Sequence, residues 1–238
     1  MRHDGASTSS HLPIKTFLRM VTTPPLDLKL VHLLIEIVAI LAFALSGLLE
    51  AARKKLDAVG VVVVAGLAAF GGGTMRDILL DRRPFFWMQH ASWLWALLIL
   101  CGVAMLFLRA RHFEVTERAM QWPDAIGLGL FSASGTQIAL EMHMPAIVAV
   151  MMGVITAVFG GVLRDIVCNE IPTAFRDHRP YAICAFIGTW ILIAAPWLGI
   201  PPPAALVIAA VTVTALRGLA LVSGFQLPAW DSGRQSPH

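Results

Sequence analysis

"FGGGTMRDILLDRRP", residues 70–84, puts three consecutive glycines and an Arg-Asp pair at the end of a long apolar run. Glycine weakens a helix by about 1 kcal/mol per residue relative to alanine, and in hydrocarbon a loosened backbone group must find a partner. The stretch therefore marks either a close approach of two helices or a bend facing a polar interior.

Composition sets the surroundings. Of 238 residues, 57% are hydrophobic and 14% charged, more apolar side chain than a soluble domain of this size can bury. The chain reads as a polytopic membrane protein. Its net charge of +3 does not indicate a nucleic-acid partner, because Lys and Arg fall mainly between apolar segments and follow topology. Cys101, Cys168 and Cys184 are widely spaced in apolar surroundings and read as small buried side chains. The histidines lack metal-ligand spacing, and no catalytic triad, phosphate loop or HExxH segment appears, so neither a metal, a cofactor nor an enzyme is expected.

A hydrocarbon core of about 30 Å needs about 20 apolar residues in helix. Segments of that kind run Leu30 to Leu49, Val59 to Leu80, Ala91 to Leu108, Trp122 to Leu140, Pro145 to Val167, Tyr181 to Leu198 and Ala204 to Val222. Residues 1–29 and 224–238 read as tails, the first without the apolar run of a cleavable signal. Arg53, Lys54 and Lys55, then Arg109, Arg111 and Arg118, then Arg176 and Arg179 lie on one side of the membrane, which places the N-terminus outside and the C-terminus in the cytoplasm.

The opening stretch has a second copy, "FGGVLRDIVCNEIP", at residues 159–172. An offset of 88 puts Gly72 on Gly160, Gly73 on Gly161, Arg76 on Arg164, Asp77 on Asp165 and Pro84 on Pro172. The same offset carries Phe43, Ser46 and Gly47 onto Phe131, Ser134 and Gly135, and Glu36 onto Asp124. This is an internal duplication. Three spans per copy is an odd number, so the copies enter the membrane from opposite sides. The expected fold is all-α, with seven transmembrane helices as two inverted three-helix repeats, 30–112 and 113–200, plus a seventh helix at 201–223.

Gly71, Gly72, Gly73, Gly160 and Gly161 are expected to bend or unwind the second and fifth helices, with close helix packing as the competing reading. Arg76 and Arg164 either snorkel to opposite interfaces or pair with a carboxylate, a lipid phosphate or the loosened backbone. Asp77 and Asp165 point about 100° around the helix from their Arg, so partners elsewhere are favoured over a local bridge. Glu36 and Asp124 either favour a helix N-terminus, draw cations into two mouths, or partner the arginines. Ser46, Ser134, Thr136 and Gln137 add polar atoms to the first and fourth helices, as packing residues or pore liners. Arg217 caps its helix or reaches lipid head groups.

With GGGTMRD and GGVLRD each followed by a proline eight residues after the Arg, the chain resembles the bacterial relatives of the trimeric intracellular cation channels. The resemblance spans about residues 30 to 223. It implies a homotrimer in a prokaryotic plasma (inner) membrane, each protomer conducting potassium, sodium and other monovalent cations through a pore beside glycine-kinked second and fifth helices. Phospholipid is a candidate bound partner. The fourth span, "AIGLGLFSASGTQIAL", lacks the Lys-Glu pair of the animal channels, so their lipid binding and calcium-release role do not carry over. Domains of this type have also been labelled glycine transporters, and a carrier for a small amino acid is the alternative: Asp77 or Asp165 for the amine, Arg76 or Arg164 for the carboxylate.

Overall fold

The computed structural model describes residues 27–89, 91–110, 116–176, 180–226 and 228; both expected tails fall outside them apart from short pieces beside the helices. Among these residues the protein is all-helical: α1 Leu28–Arg53, α2 Ala58–Leu79, α3 Ser92–Ala110, α4 Glu117–Glu141, α5 Ala146–Val167, the single turn α6 Thr173–Arg176, α7 Ala182–Ala194 continuing into a 3-10 turn at Ala195–Leu198, and α8 Pro202–Ser223.

Local chemistry sets the ends. Asp27 caps α1 through Lys29 N, Asp57 caps α2 through Gly60 N at 2.8 Å, and Thr116 caps α4 through Ala119 N. α4 therefore begins five residues before the apolar run at Trp122 and holds Pro123 in its second turn. The expected sixth span, Tyr181 to Leu198, is one helical run from Ala182 to Leu198 that changes geometry near its end. Pro196 lacks an N–H and cannot continue the α ladder, so the chain tightens into 3-10 geometry there.

The duplication is visible in the backbone. The 88-residue offset carries α2 onto α5 end for end, and the non-glycine residues with positive φ pair likewise, Lys55 with His143 and Asp81 with Asn169. Phe43 of α1 stacks on its register partner Phe131 of α4, with ring centroids 5.5 Å apart.

α1, α2, α4 and α5 pack most tightly and form the centre; α3 lies against α2, while α8 packs on α4 and α7. α4 turns Asp124, Ser132, Ser134 and Thr136 inward and buries them. The outer surface carries Leu33, Leu34 and Val38 of α1, Leu106 and Phe107 of α3, and Leu219 and Val222 of α8. An apolar exterior around a polar interior is the arrangement of a membrane protein. Four of the helices, α1, α2, α5 and α8, are long and apolar enough to cross a bilayer. Cys101, Cys168 and Cys184 are free and buried, as their surroundings in sequence imply.

Candidate functional site

α2 and α5 cross at the two glycine motifs. A Cβ on Gly72 would lie 1.9 Å from the Thr156 carbonyl oxygen, and one on Gly160 would lie 2.4 Å from that of Ala68. No side chain fits against backbone at those distances, so the helices touch through bare main chain. Ala68 meets Gly160 while Thr156 meets Gly72, so the two helices run in opposite directions through the contact. Gly71 faces Leu163 and Gly73 faces the Phe86 ring, both closer than a Cβ allows, whereas a Cβ on Gly161 would meet only ordinary contacts from 3.4 Å.

The unwinding expected at these glycines is not found. α2 is unbroken through Gly71, Gly72 and Gly73, and α5 through Gly160 and Gly161. Packing with an opposing backbone offsets the propensity cost, and the main chain keeps its own ladder.

Beyond the crossing each Arg enters a buried network. In the first, Arg76 is 1% exposed; its Nε donates to Asp77 Oδ1 at 2.9 Å and its Nη1 to Glu36 Oε1 at 3.2 Å. Nη2 also stands 2.9 Å from Asp77 Oδ1, off the hydrogen-bonding direction. Ser134 Oγ lies 3.3 Å from Glu36 Oε1 and 3.0 Å from His32 Nε2. Asp77 Oδ2 accepts from Phe86 N at 2.9 Å, tying the loop after α2 to the network, and Arg82 reaches Asp77 Oδ1 at 3.5 Å. His32, Glu36, Arg76 and Arg82, together with Lys29, Trp93 and Glu141, line a cavity of about 930 Å³.

The second network repeats the plan. Arg164, also 1% exposed, donates from Nε to Asp165 Oδ1 at 2.8 Å and from Nη1 to Asp124 Oδ1 at 2.6 Å and to Ser46 Oγ. Asp165 Oδ2 accepts from Thr173 N at 2.8 Å, as Asp77 does from Phe86. Each half lends its serine to the other: Ser46 of α1 serves Arg164, and Ser134 of α4 serves Glu36. The surroundings diverge. Tyr181 OH donates to Asp124 Oδ2 at 2.7 Å, and the Arg217 guanidinium lies 4.8 Å from the Tyr181 ring centre while its Nη1 donates to Pro180 O at 3.2 Å. The gap beside Arg164 and Tyr181 is too small for water.

Several expectations change. Neither arginine snorkels; both are held inside by carboxylates. Both also form the local Arg-Asp bridge that the helical 100° disfavours, because the long side chain curls back while the Asp turns to meet it. Glu36 and Asp124 lie about two turns inside their helices rather than at an N-terminus, as arginine partners. Thr136 is buried against Gly153, its hydroxyl without a partner, and Gln137 turns away to bond Glu141 at 2.9 Å. Arg217 is 1% exposed and bonds Pro180 O beside the start of α7, not the C-terminal carbonyls of its own helix.

His32, Tyr181 and Arg217 join the networks without belonging to the motif. Tyr181 is the sole tyrosine of the chain, and Arg217 a lone charge in an apolar run; those are the signals that sequence offers.

The family model described as glycine transporter matches residues 33–110 and again 121–197, one match on each copy. A UPF0126 membrane protein of Vibrio cholerae is 40% identical over 163 residues, 68% of this chain and 67% of that protein. The UPF0126 inner membrane protein YadS of Escherichia coli is 35% identical over 65% of this chain and 73% of its own. Among solved structures, a TRIC trimeric intracellular cation channel orthologue from Rhodobacter sphaeroides superposes with a TM-score of 0.75 at 33% identity, covering 82% of this chain and 99% of that one. A second TRIC cation channel gives 0.74 at 32%, covering 84% and 98%.

Proposed function

The chain belongs to the glycine transporter family, and from that premise we propose that it is a monovalent cation channel, permeable to potassium and sodium, of a prokaryotic plasma membrane. It is not an enzyme. It assembles as a homotrimer in lipid, each protomer holding its own path beside the α2–α5 crossing. The antiparallel crossing, the shared register and the doubled family match support inverted repeats at 30–112 and 113–200, with α8 added. By the positive-inside pattern the N-terminus lies outside and the C-terminus in the cytoplasm.

One observation carries the reading: two buried Arg-carboxylate networks flank a bare-backbone helix crossing, and one of them lines a cavity of about 930 Å³. An ionised side chain in the middle of a membrane helix costs about 2.5–3.5 kcal/mol on insertion scales, and a buried ion pair is poor value for stability alone. Two such networks are better explained by ion passage. Glu36 draws a cation into the cavity, Arg76 stands at its inner wall, and Arg164 with Asp124 controls the far side. Weak oxygen sites such as Ser134 and Ser46 suit passage, which requires that an ion leave as readily as it enters.

Recording from purified protein in a planar bilayer under a KCl gradient tests this. Unitary currents reversing near the potassium equilibrium potential, absent from protein-free bilayers, are expected. Folded, inserted protein that passes no unitary current but takes up glycine would replace the channel with the carrier.

A further inference from the structure

Arg217 is a buried cation that forms no ion pair with a carboxylate among the described residues. It comes from α8, the helix outside the duplication, so the first network has no counterpart to it. Its contacts are the Pro180 carbonyl and the face of Tyr181, and the Tyr181 hydroxyl in turn holds Asp124. The register partner of Tyr181 is Trp93, which lines the open cavity of the first half. Tyr181, by contrast, is buried against Asp124 and Arg217.

Charge completes the argument. Each network has two carboxylates and one buried Arg; apart from His32, 3.5 Å from Glu36, a further cation reaches the carboxylates of the first network alone among the described residues. In the first network that cation is Arg82, whose side chain is 39% exposed at the cavity and screened by water. In the second, Arg217 is dry and fixed over the Tyr181 ring, whose hydroxyl holds Asp124.

We propose that Arg217 is the positioning residue of the second mouth: by holding Pro180 and the Tyr181 ring it keeps the phenol on Asp124 and the mouth shut. α8 is thereby the element through which closure is set. This rests on the channel reading above.

The test is single-channel recording of the full-length protein as parent, Arg217→Gln, Arg217→Lys, Tyr181→Phe and the Arg217→Gln/Tyr181→Phe double variant. Gln keeps a donor for Pro180 O and removes the charge; Lys keeps a cation above the ring. Arg217→Gln and Tyr181→Phe are each expected to raise the open-to-closed ratio about tenfold, the double variant no further, and Arg217→Lys to stay within about threefold of the parent. A merely structural Arg217 would lower thermal stability and leave that ratio alone. An unchanged ratio in assembled Arg217→Gln, or effects that multiply in the double variant, would overturn the proposal while the parent still conducts. Should Arg217→Gln not assemble, Tyr181→Phe decides it: a tenfold rise in assembled Tyr181→Phe with Arg217→Lys within threefold of the parent supports the proposal, and an unchanged ratio in Tyr181→Phe sinks it. A parent that never conducts removes the channel reading, and this inference with it.

Discussion

The two arginine networks share a backbone and differ in what covers them. Around Arg76 the neighbours are Glu36, His32 and Trp93, and water has room to enter; around Arg164 they are Asp124, Ser46 and Tyr181, and none does. The difference extends to the rim. Glu117, Glu170 and Arg53 beside the second network correspond in register to Lys29, Arg82 and Glu141 beside the first, each with its charge reversed. At the second rim Glu170 pairs with Lys54, Arg53 and Arg176, and Arg176 with Glu117. At the first, the corresponding charges line the cavity. A duplicated scaffold thus carries one network beside an open cavity and one closely packed network, and the difference lies in side chains outside the repeated motif.

Removing the motif arginines tests this difference most severely. Arg164→Met leaves Asp124 and Asp165 buried without their guanidinium, which should cost about 3–5 kcal/mol. Arg76→Met should cost clearly less, because Glu36 borders the cavity and Arg82 already touches Asp77. Denaturant unfolding in detergent measures both; equal losses would mean that the two networks are equally dry.

The crossing belongs to both halves, so there the halves should behave alike. Gly72→Ala and Gly160→Ala each drive a methyl into an opposing carbonyl and should cost about 1–3 kcal/mol or more, whereas Gly161→Ala should stay within about 0.5 kcal/mol. A tolerated Gly72→Ala beside a damaging Gly160→Ala would show that the crossing is not shared.

Glu36→Gln and Asp124→Asn separate the mouths by conduction. Glu36 fronts the cavity, so its neutralisation should lower cation conductance several-fold at low ionic strength and less at high salt, where fields are screened. Asp124 faces Arg164 and Tyr181, and Asp124→Asn should instead change the fraction of time open. A salt-independent Glu36→Gln defect would remove the steering role.

How much of this the sequence discloses depends on range. Apolar runs and their punctuation locate the helices, because each ends at a cap, a charge or a proline close in the chain. The repeated glycines and charges disclose the crossing and the two networks, and Glu36 and Asp124 follow from the same register. What three glycines do is less legible. Their cost is local and visible in sequence, while the opposing backbone of α5 that offsets it, Thr156 against Gly72, lies 84 positions away. The Arg-Asp bridge is missed for a related reason: helical geometry fixes Cβ directions, not where a six-bond side chain ends. Tyr181 and Arg217 lie outside the motif, and only packing brings α8 against the start of α7.

The smallest effect tests the rim. The Lys54 ammonium, hydrogen-bonded to Glu170 in the loop after α5, holds its carboxyl below the ordinary carboxylate value of 4.5. A depressed folded-state value means that the ionised form is favoured by folding. Its stabilisation is complete above the ordinary value and disappears as pH falls through the lower, folded one. Parent protein and Glu170→Gln should therefore differ slightly in melting temperature at pH 7, and the gap should close as pH falls below about 4.5 and narrow in high salt. A gap that does not narrow as pH falls below 4.5 would show that Glu170 acts by packing, not by charge. Lys29, Arg82 and Glu141 border water at the first rim, so the matching variant Arg82→Gln should shift the melting temperature less at every pH.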